Sequence, residues 1–141
     1  MHCFYNCKNN PLYGINDGTF YTNNLTSLQR TSDGGYVLAG FQTGDEFYER
    51  PVLIIKVDSL GARQWRTQFE FEYASGVIIR QTADGGYIVG ATTVDREFET
   101  HVYTVYKLDS VGKMQWHRIY GVDGTSCSLS DILQAEATGI F

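Results

Sequence analysis

The sequence points to an all-β chain built on a duplicated four-stranded antiparallel unit, and three observations carry that reading. The first is an internal repeat. T-S-D-G-G-Y at 31–36 returns as T-A-D-G-G-Y at 82–87, and K-V-D-S-L-G-A-R-Q-W at 56–65 returns as K-L-D-S-V-G-K-M-Q-W at 107–116, both at an offset of 51 residues with no gap. Self-similarity at such a period means stacked supersecondary units. The second is the alternation of β-branched and aromatic runs with glycine-containing turns. The third is that no segment keeps a 3.6-residue apolar periodicity over three turns.

Taken in order, the first copy predicts strands at 25–30, 36–43, 52–57 and 63–69. The run Val52-Leu53-Ile54-Ile55 is apolar at every position, which suits a strand covered on both faces. The second copy predicts strands at 77–82, 87–93, 101–108 and 113–120. Asp84-Gly85-Gly86 joins the first two of these, and Asp109-Ser110-Val111-Gly112 joins the last two. Glycine supplies the positive φ that such tight turns need. In the last strand, alternation places Met114, Trp116 and the Ile119-Tyr120 end on one face. The alternating Phe69-Glu70-Phe71-Glu72-Tyr73 reads as the end of an outer strand with one aromatic face buried.

Both ends carry partial copies. Leu133-Gln134 matches Leu28-Gln29, which sets Gly139 and Phe141 opposite Gly34 and Tyr36. Tyr13-Gly14-Ile15-Asn16-Asp17-Gly18 matches Tyr120-Gly121-Val122-Asp123-Gly124. The expected division is therefore 1–24, an N-terminal segment including an outer strand of a preceding unit; 25–73, the first unit; 74–124, the second; and 125–141, the start of a truncated further unit. A four-stranded meander of this length is the blade of a β-propeller. The expected fold is two complete blades with partial ones at both ends, in a ring that one chain cannot close.

Most repeated residues have a structural reading. Asp33 and Asp84 accept hydrogen bonds from their own turn, while Gly35 and Gly86, followed by Tyr36 and Tyr87, complete the hairpin. The alternative for these acids, a calcium ligand, needs several oxygen donors in one loop. Asp58 with Gly61, and Asp109 with Gly112, repeat the turn reading. Trp65 and Trp116 are expected to pack between neighbouring units, with ligand stacking as the alternative.

T-x-D-G-G-Y-[VI] followed by K-x-D-S-x-G-x-x-x-W resembles the tandem repeats of secreted bacterial β-propeller proteins, well over 25–121 and partially at the ends. That resemblance implies an extracellular or cell-surface protein in which the repeats sit beside adhesion or sorting modules. D-x-x-G-x-x-x-W also resembles the tryptophan-docking motif of quinoprotein propellers, one residue shorter. The motif is structural in that family, so the likeness implies a fold and no cofactor. T-x-D-x-G echoes the Asp-box turn of sialidase-like propellers.

Composition bounds the partners. With 11 Lys and Arg against 16 Asp and Glu, the net charge is −5, and no basic stripe invites nucleic acid. No apolar run spans a bilayer, and residues 1–10 lack the apolar core of a signal peptide. Cys3, Cys7 and Cys127 make an odd count, against a disulfide framework. Cys3 and Cys7 with His2 lack the four ligands of a structural metal site, so no metal is expected. His101 and His117 lie in no metal or nucleophile motif, and His117 is expected to face solvent.

Function is sought where the copies differ. The loop at 42–51 holds Asp45, Glu46, Phe47 and Tyr48, and that at 94–100 holds Glu97, Phe98 and Glu99. Loops on a rigid scaffold carry binding residues. Carboxylates beside aromatic rings suit a carbohydrate or a basic protein. The leading expectation is a non-catalytic scaffold within a larger secreted protein. The alternatives are a glycan-binding or glycan-processing propeller using these loops, and self-association through open blade edges.

Overall fold

A computed structural model of the chain describes residues 22–43, 50–69, 73–95, 100–121 and 128–135. Eight strands run β1 Thr22–Arg30, β2 Tyr36–Thr43, β3 Val52–Val57, β4 Arg63–Phe69, β5 Ala74–Gln81, β6 Tyr87–Asp95, β7 Thr100–Leu108 and β8 Met114–Tyr120. They form two antiparallel four-stranded sheets, β1-β2-β3-β4 and β5-β6-β7-β8, each in chain order. The chain is thus all-β among its described residues. The strands start and stop close to where the turn glycines and β-rich runs put them.

The period-two alternation explains the packing. In the first sheet, Val37, Ala39, Val52, Ile54 and Phe69 face one way and join Ala74, Val77, Ile79, Tyr87, Val89, Ala91, Tyr106 and Leu108 of the second in one core. Leu38, Leu53, Ile55 and Val57 face the other way in a second cluster. Every residue of β3 is buried: the apolar run Val52–Ile55 suits that, and Lys56 is buried with it. The two sheets use non-equivalent faces against each other. Ile55 and Val57 correspond by the 51-residue offset to Tyr106 and Leu108, yet Ile55 and Val57 lie on the side of the first sheet away from the shared core. The stacking is therefore head to tail, the heterologous kind of contact.

β1 and β5 run side by side, and β1 covers the free edge of β5 with side chains. Thr26 donates to the Val77 carbonyl, Ser27 Oγ accepts from the Ile79 amide at 3.2 Å, and Gln29 Oε1 accepts from the Gln81 amide at 2.7 Å. An unpaired strand edge is a liability, and these polar side chains satisfy it. Residues 128–135 lie against the second sheet in a related way. Gln134 Oε1 accepts from the Ala83 amide at 2.9 Å, just as Gln81 Oε1 accepts from Ser32, the residue at Ala83's position in the first copy, at 2.8 Å. Asp131 pairs with Arg80 at 2.9 Å, and a side chain at Gly90 would meet Leu129.

The structure corrects the reading of β8. A register shift beside Lys107 sets Met114 opposite Leu108 and Trp116 opposite Lys107. Consecutive residues of β7 point to opposite faces, so Met114 and Trp116 do not share one. Simple alternation does not anticipate a bulge, which re-aims the residues on one side of it.

Candidate functional site

The repeated motif builds one compact ionic clasp in each sheet. Thr31 and Asp33 open the β1–β2 turn, where Gly34 takes φ +84°. The Thr31 hydroxyl donates to Asp33, and the Gly35 amide donates to the same carboxylate at 3.0 Å. Lys56 arrives from β3 and places its ammonium 2.9 Å from Asp33 Oδ2, 3.0 Å from the Val57 carbonyl and 2.7 Å from Gln64 Oε1. A Cβ at Gly35 would sit 2.7 Å from the Lys56 nitrogen and 2.3 Å from the Val57 carbonyl oxygen. The second glycine of D-G-G thus leaves the space in which the lysine ends.

The second sheet repeats the arrangement. Thr82 donates to Asp84, the Gly86 amide to Asp84 at 2.9 Å, and Lys107 reaches Asp84 Oδ2 at 2.9 Å and the Leu108 carbonyl at 3.0 Å. Both lysine side chains are nearly buried, while both aspartates keep one side to solvent. A buried ammonium without partners is costly, and four acceptors around Lys56 remove that cost. The threonine hydroxyl first, then the lysine and the glycine amide, hold the carboxyls of Asp33 and Asp84 well below the usual carboxylate range. The lysine and the threonine were the members of the clasp that sequence reasoning missed. For the lysine, the available signal was the separation of 23 residues, the same for Asp33–Lys56 and Asp84–Lys107.

The second turns are simpler. Asp58 Oδ1 accepts from the Leu60 and Ala62 amides at 2.9 and 2.8 Å, and Asp109 Oδ1 from Val111 and Lys113 at 3.0 and 2.8 Å. Gly61 and Gly112 have φ of +85° and +80°. All four repeated aspartates are therefore engaged by their own repeat.

The repeated aromatic residues fall into unequal pairs. Trp65 packs edge-on against Tyr87 of the second sheet at 5.5 Å between ring centroids. It also lies so close over Gly112 that a Cβ there would come within 2.6 Å of its ring. Thr67 beside it donates to the Gly112 carbonyl at 2.7 Å. Trp65 thus bridges the two sheets. Trp116 does not: it is 42% exposed, with Arg118 over its ring at 5.6 Å. Tyr87 is 2% exposed, whereas Tyr36 is 38% exposed. Burial first, then the Asp33 charge, raises the Tyr87 hydroxyl. His117 is exposed, with its ring 6.2 Å from that of Tyr106.

At the opposite end of the sheets, the Arg50 guanidinium lies over the Tyr73 ring at 4.3 Å and near the Phe41 ring at 5.6 Å. It donates to the Tyr73 hydroxyl at 2.9 Å, and the Arg50 carbonyl accepts from Ala74 at 3.1 Å. This cluster ties the base of the β2–β3 connection to the start of β5. It is not repeated, since the positions of Phe41 and Arg50 are taken by Thr92 and His101 in the second copy. Below it, Phe69 stacks on Tyr106 at 4.8 Å and 8°. The candidate binding residues Asp45, Glu46, Phe47, Tyr48, Glu97, Phe98 and Glu99 lie outside the described residues, as do His2, Cys3, Cys7, Cys127, Gly139 and Phe141. Among the described residues, no three His, Cys, Asp or Glu side chains gather to hold a metal. No helix among them is long and apolar enough to cross a membrane.

Comparison with protein-family models, curated proteins and solved structures finds no match to this chain.

Proposed function

We propose that the chain is a non-catalytic repeat scaffold of the β-propeller type, part of a secreted or cell-surface protein, whose loops engage a protein or carbohydrate partner. One observation supports this above the others. The residues that the two copies share are consumed within the repeat: Asp33, Asp84, Asp58 and Asp109 accept from their own turns, and the two lysines close on the first pair. Carboxylates so engaged are poor candidates for acid–base chemistry, which needs a group free to exchange its proton. What differs between the copies is left for recognition. Arg50 with Phe41 and Tyr73 braces the base of the first loop, and the acidic-aromatic residues at 45–48 and 97–99 are the proposed contact set.

The rival reading is a glycan-processing propeller in which Glu46 and Glu97 act as a carboxylate pair. The two are separated by an assay for polysaccharide and glycoside hydrolysis, run beside a glycan array. The scaffold reading expects no turnover. Hydrolysis abolished by Glu46→Gln or Glu97→Gln contradicts it. Array binding lost in the Phe47→Ala/Phe98→Ala variant, without turnover, identifies the loop face as a glycan-binding surface of the scaffold.

A further inference from the structure

Among the described residues, the two-sheet stack presents a matched pair of exposed aromatic residues, one on each sheet. Inside the chain, Trp65 of the first sheet is received by Tyr87 and Gly112 of the second, and Tyr87 is left 2% exposed. Moving each partner by one repeat gives Trp116 at one end and Tyr36 with Gly61 at the other. Trp116 is 42% exposed and Tyr36 38%. Gly61 is partly exposed and takes nearly the φ of Gly112, +85° against +80°. The donor and the receiver of the internal contact therefore both recur on the surface, each without its counterpart among the described residues.

The surface around Trp116 keeps the apolar character of its buried equivalent. Val37, Ile54, Trp65 and Phe69 of the first sheet correspond to Ile88, Val105, Trp116 and Tyr120 of the second. All of β8 is exposed, including Tyr120 at 49%. Residues 128–135 cover the inner part near Gly90, and no other described residue covers the outer part, where β8 is exposed. Arg118 occupies the position of Thr67, whose hydroxyl donates to the Gly112 carbonyl. From there a guanidinium has donors to spare for the Gly61 carbonyl.

We infer that copies of this chain associate head to tail, with Trp116 and Arg118 of one copy seated on Tyr36 and Gly61 of the next. The inference rests on the repeat-scaffold reading and names its partner as a second copy. The contact reproduces the geometry already present between the two sheets. A heterologous contact of this kind makes a ring if its rotation closes and an open filament if it does not. On the receiving sheet Leu38, Leu53, Ile55 and Val57 are already buried, which confines the contact to the outer corner. A contact confined to one corner is expected to be weak and concentration-dependent. Because each copy carries a net charge of −5, added salt screens repulsion and strengthens the association.

Sedimentation velocity on the full chain from micromolar to millimolar concentration tests this. The wild type should gain mass with concentration and with salt. Trp116→Ala, which lacks the donor, and Tyr36→Lys, which lacks the receiver, should each remain monomeric while keeping the wild-type β circular dichroism. An equimolar mixture of the two variants should form dimers and stop there, since it holds one intact pair of surfaces. A wild type that stays monomeric throughout overturns the inference, as does association that survives in Trp116→Ala. A mixture that stays monomeric overturns the head-to-tail arrangement, because a two-fold contact is not restored by complementation. These results are independent of the hydrolysis assay, so a monomeric chain without turnover sinks the inference and leaves the scaffold reading standing.

Discussion

The ammonium of Lys56, on a side chain 3% exposed, closes on the Asp33 carboxylate at 2.9 Å across the mouth of the first hairpin, and Lys107 does the same to Asp84. The contact joins the β1–β2 turn to β3, so it fixes the register of the hairpin against the next strand of the sheet. The dipeptide Gly34-Gly35 serves it twice, first by turning the chain and then by leaving room for the lysine.

This clasp makes stability depend on acid. The folded-state values of Asp33 and Asp84 lie below their unfolded values, so as pH falls the unfolded chain takes up protons first. Their contribution is complete above about pH 5 and is lost as pH falls through about 4 and below. Thermal melts of the wild type should show a midpoint that drops with acid over that range. The Asp33→Asn/Asp84→Asn variant should start lower at neutral pH and fall less steeply. Parallel curves would show that the two carboxyls are not engaged.

Gly85 and Gly112 separate the turn requirement from the packing requirement. Both have positive φ, but among the described residues nothing lies within 4 Å of a Cβ at Gly85, whereas the Trp65 ring lies 2.6 Å from one at Gly112. Gly85→Ala should cost about 1–2 kcal/mol, the conformational term alone. Gly112→Ala adds overpacking and should cost roughly 2–5 kcal/mol. Urea unfolding measures both. Equal costs would mean that Trp65 does not rest on the second turn.

Two tryptophans at equivalent positions should behave differently. Trp65→Ala removes the bridge between the sheets and should destabilise by about 2–4 kcal/mol, near the lower end for large aromatic truncations because the ring is only partly buried. Trp116→Ala, at dilution, should change stability by no more than about 0.5 kcal/mol, as for other exposed positions. Chemical denaturation of the two variants checks this, and similar losses would contradict the distinction.

Much of the architecture was legible in the sequence because turns and alternation are local. D-G-G and D-S-x-G mark positive-φ turns, and Val52-Leu53-Ile54-Ile55 announces a strand buried on both sides. The faces of β8 were not legible, since the bulge beside Lys107 depends on pairing with β7. The role of Lys56 was hidden for a similar reason: its partner Asp33 lies 23 residues away, and composition does not show that β3 pairs beside β2 with its lysine at the turn. The inequality of Trp65 and Trp116 was also hidden, because identical motifs meet different neighbours at the middle and the end of a stack. The proposed contact residues at 45–48 and 97–99 rest on sequence alone. Beside them the structure contributes the Arg50–Tyr73 brace, which no repeat pattern signals.

Head-to-tail stacking of the two sheets through Trp65 is tested most directly by proton NMR on the chain at monomeric dilution. The ring protons of Trp65 should show nuclear Overhauser contacts to the α protons of Gly112 and to the Tyr87 ring, with the Gly112 resonances displaced by the ring current. Trp116 should show contacts within its own sheet only. A Trp65 whose contacts are confined to β3 and β4, with unshifted Gly112 protons, would contradict the stacking.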